Sequence, residues 1–233
     1  RVDHHAHVGT ELIPQGGRAC HLPRQTELKA MVSKGFRNPT IREMYMFPPQ
    51  NPDLRPERLM NYELSFSQML LNGALTYGAN LFYIDGSNLI MTTRVDGRPH
   101  NVNSGDIENW GLEANAAWRI SPSWNVNANY SWVHMENPVI SAPQHKFYTG
   151  ADFHRGRWSA STGLQYVKGL YTSVGENATT ENFLLWNLRA SYRLCPYASL
   201  FVRGENLLAQ RYEVMLGYPM PKATFLGGVS VSF

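Results

Sequence analysis

The stretch Trp124-Asn-Val-Asn-Ala-Asn-Tyr-Ser-Trp132 alternates strictly between two kinds of residue. Trp124, Val126, Ala128, Tyr130 and Trp132 fall on one side of an extended chain, with Asn125, Asn127, Asn129 and Ser131 on the other. Successive side chains of a strand point to opposite faces, so this spacing reads as a strand with one apolar and one polar side; a helix would mix the two sets. The pattern recurs. Trp158, Ala160, Thr162, Leu164 and Tyr166 oppose Ser159, Ser161, Gly163 and Gln165; Leu184, Trp186, Leu188, Ala190, Tyr192 and Leu194 oppose Leu185, Asn187, Arg189, Ser191 and Arg193; and Phe225, Gly227, Val229, Val231 and Phe233 close the chain. Weaker copies cover residues 25–35, 59–71, 73–85, 108–120, 144–154 and 197–206, with an eleventh strand near 15–22.

Each repeat runs about ten residues, the length a tilted strand needs to cross a bilayer, where globular strands average five or six. The apolar faces start or end in aromatics (Trp118, Trp124, Trp132, Trp158, Tyr166, Trp186, Tyr192), as expected of rings that settle at headgroup level. Charges collect on the opposite face: Glu63, Glu113, Arg119, Asp152, Arg189, Arg193, Arg203 and Glu205. A basic residue on the lipid side at mid-bilayer would cost roughly 2–4 kcal/mol, which gives the segregation a physical cause. Connections alternate as well. Tight ones lie at 21–24, 71–73, 121–123, 155–156 and 195–197, and long ones at 36–58, 86–107, 135–143, 171–182 and 207–221. With Phe233 set in the periplasm, every tight turn falls on the periplasmic side.

Composition supports the same class. The 233 residues carry 21 basic and 18 acidic side chains, a formal charge of +3, too even a balance for a nucleic-acid partner. A mean hydropathy of −0.35 and apolar runs of the length of Phe183-Leu-Leu-Trp186 exclude spanning helices, which need about twenty apolar residues. A barrel tolerates negative hydropathy because half of each strand faces lumen or water. The two cysteines, Cys20 and Cys195, fall near different periplasmic turns and are expected to be unpaired thiols. The expectation is therefore an all-β chain of about 10–11 antiparallel transmembrane strands. By strand count it is either a small closed barrel or the tail of a larger one. The start at Arg1 and the strand pattern at Phe233 suggest an amino-terminal truncation with an authentic carboxyl end.

Several motifs carry a resemblance. Ser33-Lys-Gly-Phe-Arg-Asn-Pro-Thr-Ile-Arg-Glu-Met-Tyr45 is followed by Asn51-Pro-Asp-Leu-Arg-Pro-Glu57 and Asn61-Tyr-Glu63; later come Tyr83-Ile-Asp85, Asn109-Trp-Gly-Leu-Glu113, Gly204-Glu-Asn-Leu-Leu208 and Tyr212. Together they resemble TonB-dependent outer-membrane receptors over essentially the whole chain. The resemblance implies that residues 1–233 are the carboxyl-terminal portion of a 22-stranded barrel, with the plug domain and TonB box outside this chain. It further implies active uptake across the bacterial outer membrane of a scarce nutrient, of the ferric siderophore, cobalamin or haem class. The implied partners are the TonB complex, the plug, outer-membrane lipid and a small metal-chelate or vitamin ligand. Haem receptors of the family place a histidine between the first two motifs; residues 40–50 hold none, which lowers that class, and Met44 and Met46 are only soft donors.

The residues singled out for substrate are Tyr45, Met46 and Phe47, an apolar patch on an exposed loop, and His4, His5 and His7, a cluster able to meet a metal-containing ligand. For each there is a plainer reading, packing between loops for the first set and a solvated polar loop for the second. Glu113, Arg189, Arg193, Arg203 and Glu205 are expected to face the lumen or the plug, with Arg189, Arg193, Arg203 and Glu205 pairing with one another across adjacent strands or meeting the plug. Asp96 and Asp106 alone make a weak case for calcium. Asn177-Ala-Thr179 matches a glycosylation sequon without meaning in a bacterial membrane. No catalytic set stands out, no cofactor is called for, and the chain reads as a transporter rather than an enzyme. The rivals are a passive porin-like barrel, an outer-membrane barrel hydrolase and a soluble β-sandwich, which shares the periodicity with its charged face turned outward.

Overall fold

The computed structural model describes residues 1–5, 9–46, 48–95 and 98–231. Two short strands, β1 (Val2–His5) and β2 (Gly9–Leu12), form a hairpin of their own. The others are β3 (Gln15–Leu22), β4 (Thr26–Arg37), β5 (Glu57–Leu70), β6 (Leu75–Val95), β7 (Arg98–Ser121), β8 (Trp124–Met135), β9 (Pro143–Arg155), β10 (Trp158–Ser173), β11 (Thr179–Cys195), β12 (Ala198–Glu205) and β13 (Thr224–Val231). These eleven pair antiparallel, each with its sequence neighbours, in one uninterrupted meander from β3 to β13. Helix α1 (Ile41–Tyr45) sits in the β4–β5 connection.

Every alternating segment read from the sequence is a strand of this sheet, including the weak one at 15–22; Phe233, at the end of the last segment, lies outside the described residues. Two expected loops are corrected. Much of 86–107 is a ribbon in which β6 and β7 continue past a register shift after Gly86, and β10 and β11 likewise shorten the loop expected over 171–182 to residues 174–178. Above the bilayer both faces of a strand meet water, so the apolar alternation fades while the backbone ladder continues. The β1–β2 hairpin went unread for the same reason.

Register sorts the side chains into two faces. Ser65, Asn80, Glu113, Ser131 and Lys146 lie opposite one another across five strands on one face. Leu64, Leu81, Leu112 and Trp132 do so on the other. Trp158, Leu164, Leu188, Val202 and Val229 share this second face and are exposed, Val202 at 60%. Buried apolar side chains are few, Leu54, Val167, Leu170 and Phe183 among the described residues. A sheet one layer thick that exposes its apolar side has the anatomy of a membrane wall, with lipid replacing a second layer.

Close packing within the wall explains one motif residue. In Trp110-Gly111-Leu112 a Cβ on Gly111 would lie 2.2 Å from the Trp132 carbonyl and 2.7 Å from the Phe82 ring, so only glycine fits. Strands β3 and β13 each pair on one side only, and closure is not seen within these residues. The β1–β2 ladder runs one pair further, with the Ile13 amide donating to the Arg1 carbonyl at 2.9 Å.

Candidate functional site

The β4–β5 connection is long, yet it is tied down at both ends. Thr40 and Glu43 form a capping box at the start of α1: the Glu43 amide donates to the Thr40 hydroxyl at 3.2 Å and the Thr40 amide to the Glu43 carboxylate at 2.8 Å. Arg37, the last residue of β4, then forks between two carboxylates. Its Nη1 and Nη2 donate to Glu43 at 3.0 Å each, and its Nε and Nη2 to Glu57 at 2.6 and 2.8 Å. Glu57 also accepts from the Ile90 amide at 2.8 Å. Hydrogen bonds from Arg37 hold the Glu43 carboxyl down at about 2, outweighing the opposing effect of partial burial, with Thr40 contributing less.

The far side of the loop docks on the β6–β7 ribbon. The Asn51 amide group donates to the Asn101 carbonyl and the Asn101 amide group to the Glu43 carbonyl, both at 2.9 Å. Asn103 accepts from the Arg55 amide at 2.7 Å and donates to the carbonyls of Arg55 and Asn88. Leu54 and Pro56 are buried beneath. The two most specific stretches of the sequence, around Arg37–Tyr45 and Asn51–Glu57, are thus the two halves of one clamp.

The clamp leaves Ile41 (77% exposed), Tyr45 and Met46 facing solvent. Tyr45 and Met46 are exposed on this loop; Phe47 lies outside the described residues. Ile41, one helical turn before Tyr45, joins this patch and had gone unnoticed, although its spacing of four residues was the available signal.

The histidine cluster is only partly described. His4 Nδ1 lies 2.9 Å from the Thr10 hydroxyl, His5 is opposite Gly9 in the hairpin, and His7 falls outside the described residues. No group of three or more His, Cys, Asp or Glu is placed to hold a metal ion among the described residues. The hairpin is anchored by Glu11, which is buried and accepts from Lys34 Nζ at 3.0 Å and from the Arg58 guanidinium. Those hydrogen bonds, Arg58 first, lower the Glu11 carboxyl against the cost of burial.

Glu113, Arg189, Arg193 and Arg203 share the charged face, as expected. The expected cross-strand pairing of the arginines is corrected. Arg189 stands directly opposite Arg203, a like-charged neighbour; Arg203 binds Glu205 two residues along its own strand, and Arg193 donates to the Gly156 carbonyl at 3.1 Å. Alternation assigns a face to each residue, and only register shows which charges stand opposite one another. Glu113, Asn115, Asn129, Ser131, Lys146 and Tyr148 line a shallow polar concavity of about 510 Å³ on this face. Asn61, Asn109 and Asn127, each on the same face, hold buried side-chain carbonyls without a hydrogen-bond partner. Cys20 and Cys195 are free and exposed.

The β12–β13 connection contributes a feature the sequence reading missed. Tyr212 and Val214 pack on Val167, Leu170 and Phe183, with the Tyr212 and Phe183 rings 4.2 Å apart. Phe183 and Val167 face the same way as Lys146, so this connection folds over the charged side of the wall. Asn206 closes it, accepting from the Gln210 amide and donating to the carbonyls of Gln210 and Pro221 at 2.9 and 3.1 Å. Met215, Leu216 and Tyr218 remain exposed on its outside.

Comparison with known proteins adds three findings. Residues 21–207 match the family model described as TonB dependent receptor-like, beta-barrel. The whole chain aligns with the vitamin B12 transporter BtuB of Photobacterium profundum at 22% identity over 40% of that protein, and with the iron-regulated outer membrane virulence protein of Vibrio cholerae at 26% over 41%. Among solved structures, the ferric enterobactin receptor PfeA of Pseudomonas aeruginosa superposes with a TM-score of 0.84 at 16% identity, covering all of this chain and 42% of that one. The copper transporter OprC gives 0.77 at 17%, covering 96% and 40%. The chain spans about two fifths of the length of the curated relatives it matches.

Proposed function

Since the chain belongs to the TonB-dependent receptor β-barrel family and is a strand set of the bacterial outer membrane, we propose that it forms the carboxyl-terminal half of a 22-stranded barrel whose remaining strands join at the free edges of β3 and β13. The family consists of transporters and receptors. On our reading the whole protein is one of them, not an enzyme, and takes up a scarce nutrient by active transport energised through TonB, with a plug domain seated against the charged face of this wall. The ligand belongs to the ferric siderophore or cobalamin class; haem ranks lower because residues 40–50 hold no histidine.

The observation that carries this reading is the clamped loop. An exposed apolar face of Ile41, Tyr45 and Met46 is held rigid by Arg37, Glu43, Glu57, Asn101 and Asn103, which is what a binding surface needs and a passive pore does not. The inner-face asparagines with unpaired carbonyls support a polar partner on that side. His4, His5 and His7 stay in the proposal as secondary ligand contacts.

The test uses the full-length gene product in cells lacking their own receptors for the ligand classes offered. Uptake of radiolabelled cobalamin or a ferric siderophore that stops when TonB is deleted is the expected result. Uptake indifferent to TonB would replace this reading with the passive barrel.

A further inference from the structure

One row of register partners crosses eight strands on the outward face. It runs Arg18, Ala30, Leu64, Leu81, Leu112, Trp132, His145, Lys168, each residue directly opposite the next. The row begins at Arg18, ends at His145 and Lys168, and is apolar from Ala30 to Trp132. Barrel strands tilt, so a row perpendicular to them climbs through the bilayer. Seven steps of about 4.8 Å on strands tilted by about 40° rise roughly 20 Å, close to the apolar band of ~25 Å. Position along the strands agrees: Arg18 lies four residues from the β3 end at Leu22, while Lys168 lies ten residues from the β10 start at Trp158. The row therefore enters at one headgroup level and leaves at the other, with Lys168 on the extracellular side.

Lys168 arrives there by construction. A register shift between Val167 and Leu170 leaves both of these buried on the inner side while Lys168 stays outward and exposed. Gly169 takes the positive φ of +65° and donates its amide to Asn182 at 2.7 Å, which fixes the bulge. The row just below is aromatic across three strands, Tyr130, Phe147 and Tyr166. Opposite Lys168, His145 Nδ1 lies 2.9 Å from the Tyr130 hydroxyl; with that hydroxyl donating, Nε2–H is the ring's remaining donor. The outward cations Lys34 and Arg58 offer a contrast, since both are ion-paired with Glu11. Lys168 has no carboxylate partner among the described residues.

We infer that Lys168 and His145 hold the phosphate of an outer-leaflet lipid, its acyl chains lying over Tyr130, Phe147 and Tyr166. An ammonium and an oriented ring N–H above an aromatic row match a phosphate at the boundary between headgroup and hydrocarbon. The inference rests on the membrane placement and is independent of the transported ligand.

The test is native mass spectrometry of the full-length receptor in zwitterionic detergent, titrated with lipid A, with lipid A stripped of its phosphates, and with inorganic phosphate. Lys168→Gln should reduce lipid A retention about fivefold, Lys168→Arg should restore most of it, and the stripped lipid should not distinguish the variants. Lys34→Gln should retain lipid A like the parent. Equal retention by Lys168→Gln and the parent would overturn the assignment, since a lysine that only reaches for water is indifferent to phosphate. So would an equal loss in Lys34→Gln, or saturation of the site by inorganic phosphate alone.

Discussion

The wall and the rim of this molecule are held by different forces. Across β7 to β11 the side-chain hydrogen bonds join neighbouring strands, as Tyr130 to His145 and Trp186 to Thr162 do, and specificity lies in which face each residue takes. At the rim, Arg37, Glu43, Glu57, Asn51, Asn101 and Asn103 tie together segments up to 58 residues apart through directed polar bonds. The wall tolerates exchange of one apolar residue for another, because lipid accommodates shape. The rim does not, because each bond has one partner and one geometry. Substitutions should therefore act on the wall through sidedness and on the rim through connectivity.

The largest effect should come from breaking sidedness. Leu188 faces outward, between Trp186 and Tyr192, next to Arg189 on the inner face. Leu188→Arg should cost about 2–4 kcal/mol, while Ser191→Arg, on the inner face three residues away, should cost less than about 1 kcal/mol. Denaturant titration of the full-length receptor in bilayers measures both. Equal costs would mean that the outward face does not meet hydrocarbon.

At the rim, Arg37→Met leaves two carboxylates facing each other in a partly buried setting and should cost about 1–3 kcal/mol, expressed locally as loss of amide protection over 40–57. The parent loop carries an acid limit that sharpens the same point. Glu43 titrates near 2 when folded against an ordinary 4.5, so the folded state favours its ionised form. Its contribution is complete above about 4.5 and is lost as pH falls through the folded value near 2. The protection factor of the loop amides, exchange relative to the intrinsic rate at the same pH, should hold level from neutral pH to about 4.5 and fall below it, whereas Arg37→Met should show low protection throughout.

Asn206 tests whether the second loop that folds over the wall obeys the same rule. Asn206→Ala removes three hydrogen bonds at a buried position and should cost about 1–2 kcal/mol, freeing Tyr212 from Phe183. Limited proteolysis within 207–221 reports it; resistance equal to the parent would show that the Tyr212 packing suffices.

What the sequence alone disclosed divides along the same line. Trp158 to Tyr166 could be read as a strand, and its two faces assigned, because period two is a local property and lipid rewards it residue by residue. The ribbon beyond Gly86 could not, because nothing there selects one face. Tyr45 and Met46 could be picked as exposed apolar residues, and they are exposed. The residues that position them could not: Arg37 was visible within a motif, but its partners lie 6 and 20 residues downstream, and Asn103 acts 48 residues from Arg55. No periodicity marks a contact between loops. For Arg189 and Arg203, alternation gave the correct face, and only register revealed that two like charges stand opposite each other.

The smallest expected effect discriminates best between connectivity and packing. Asn103 bonds both the amide and the carbonyl of Arg55, and reaches the Asn88 carbonyl as well, yet it touches neither Arg37 nor the exposed face of α1. Asn103→Ala should cost about 1 kcal/mol, because the loop keeps its Arg37 anchor and water can reach the freed groups at this rim position. Exchange of the Arg55 amide should rise while that of Glu43, held by the capping box, stays at the parent value. If both amides lose protection together, the loop and ribbon open as one cooperative body and the clamp cannot be divided into two halves. If only Arg55 responds, the Arg37 half holds Tyr45 and Met46 by itself, and ligand affinity in the full-length receptor should be unchanged by this substitution and reduced by Arg37→Met.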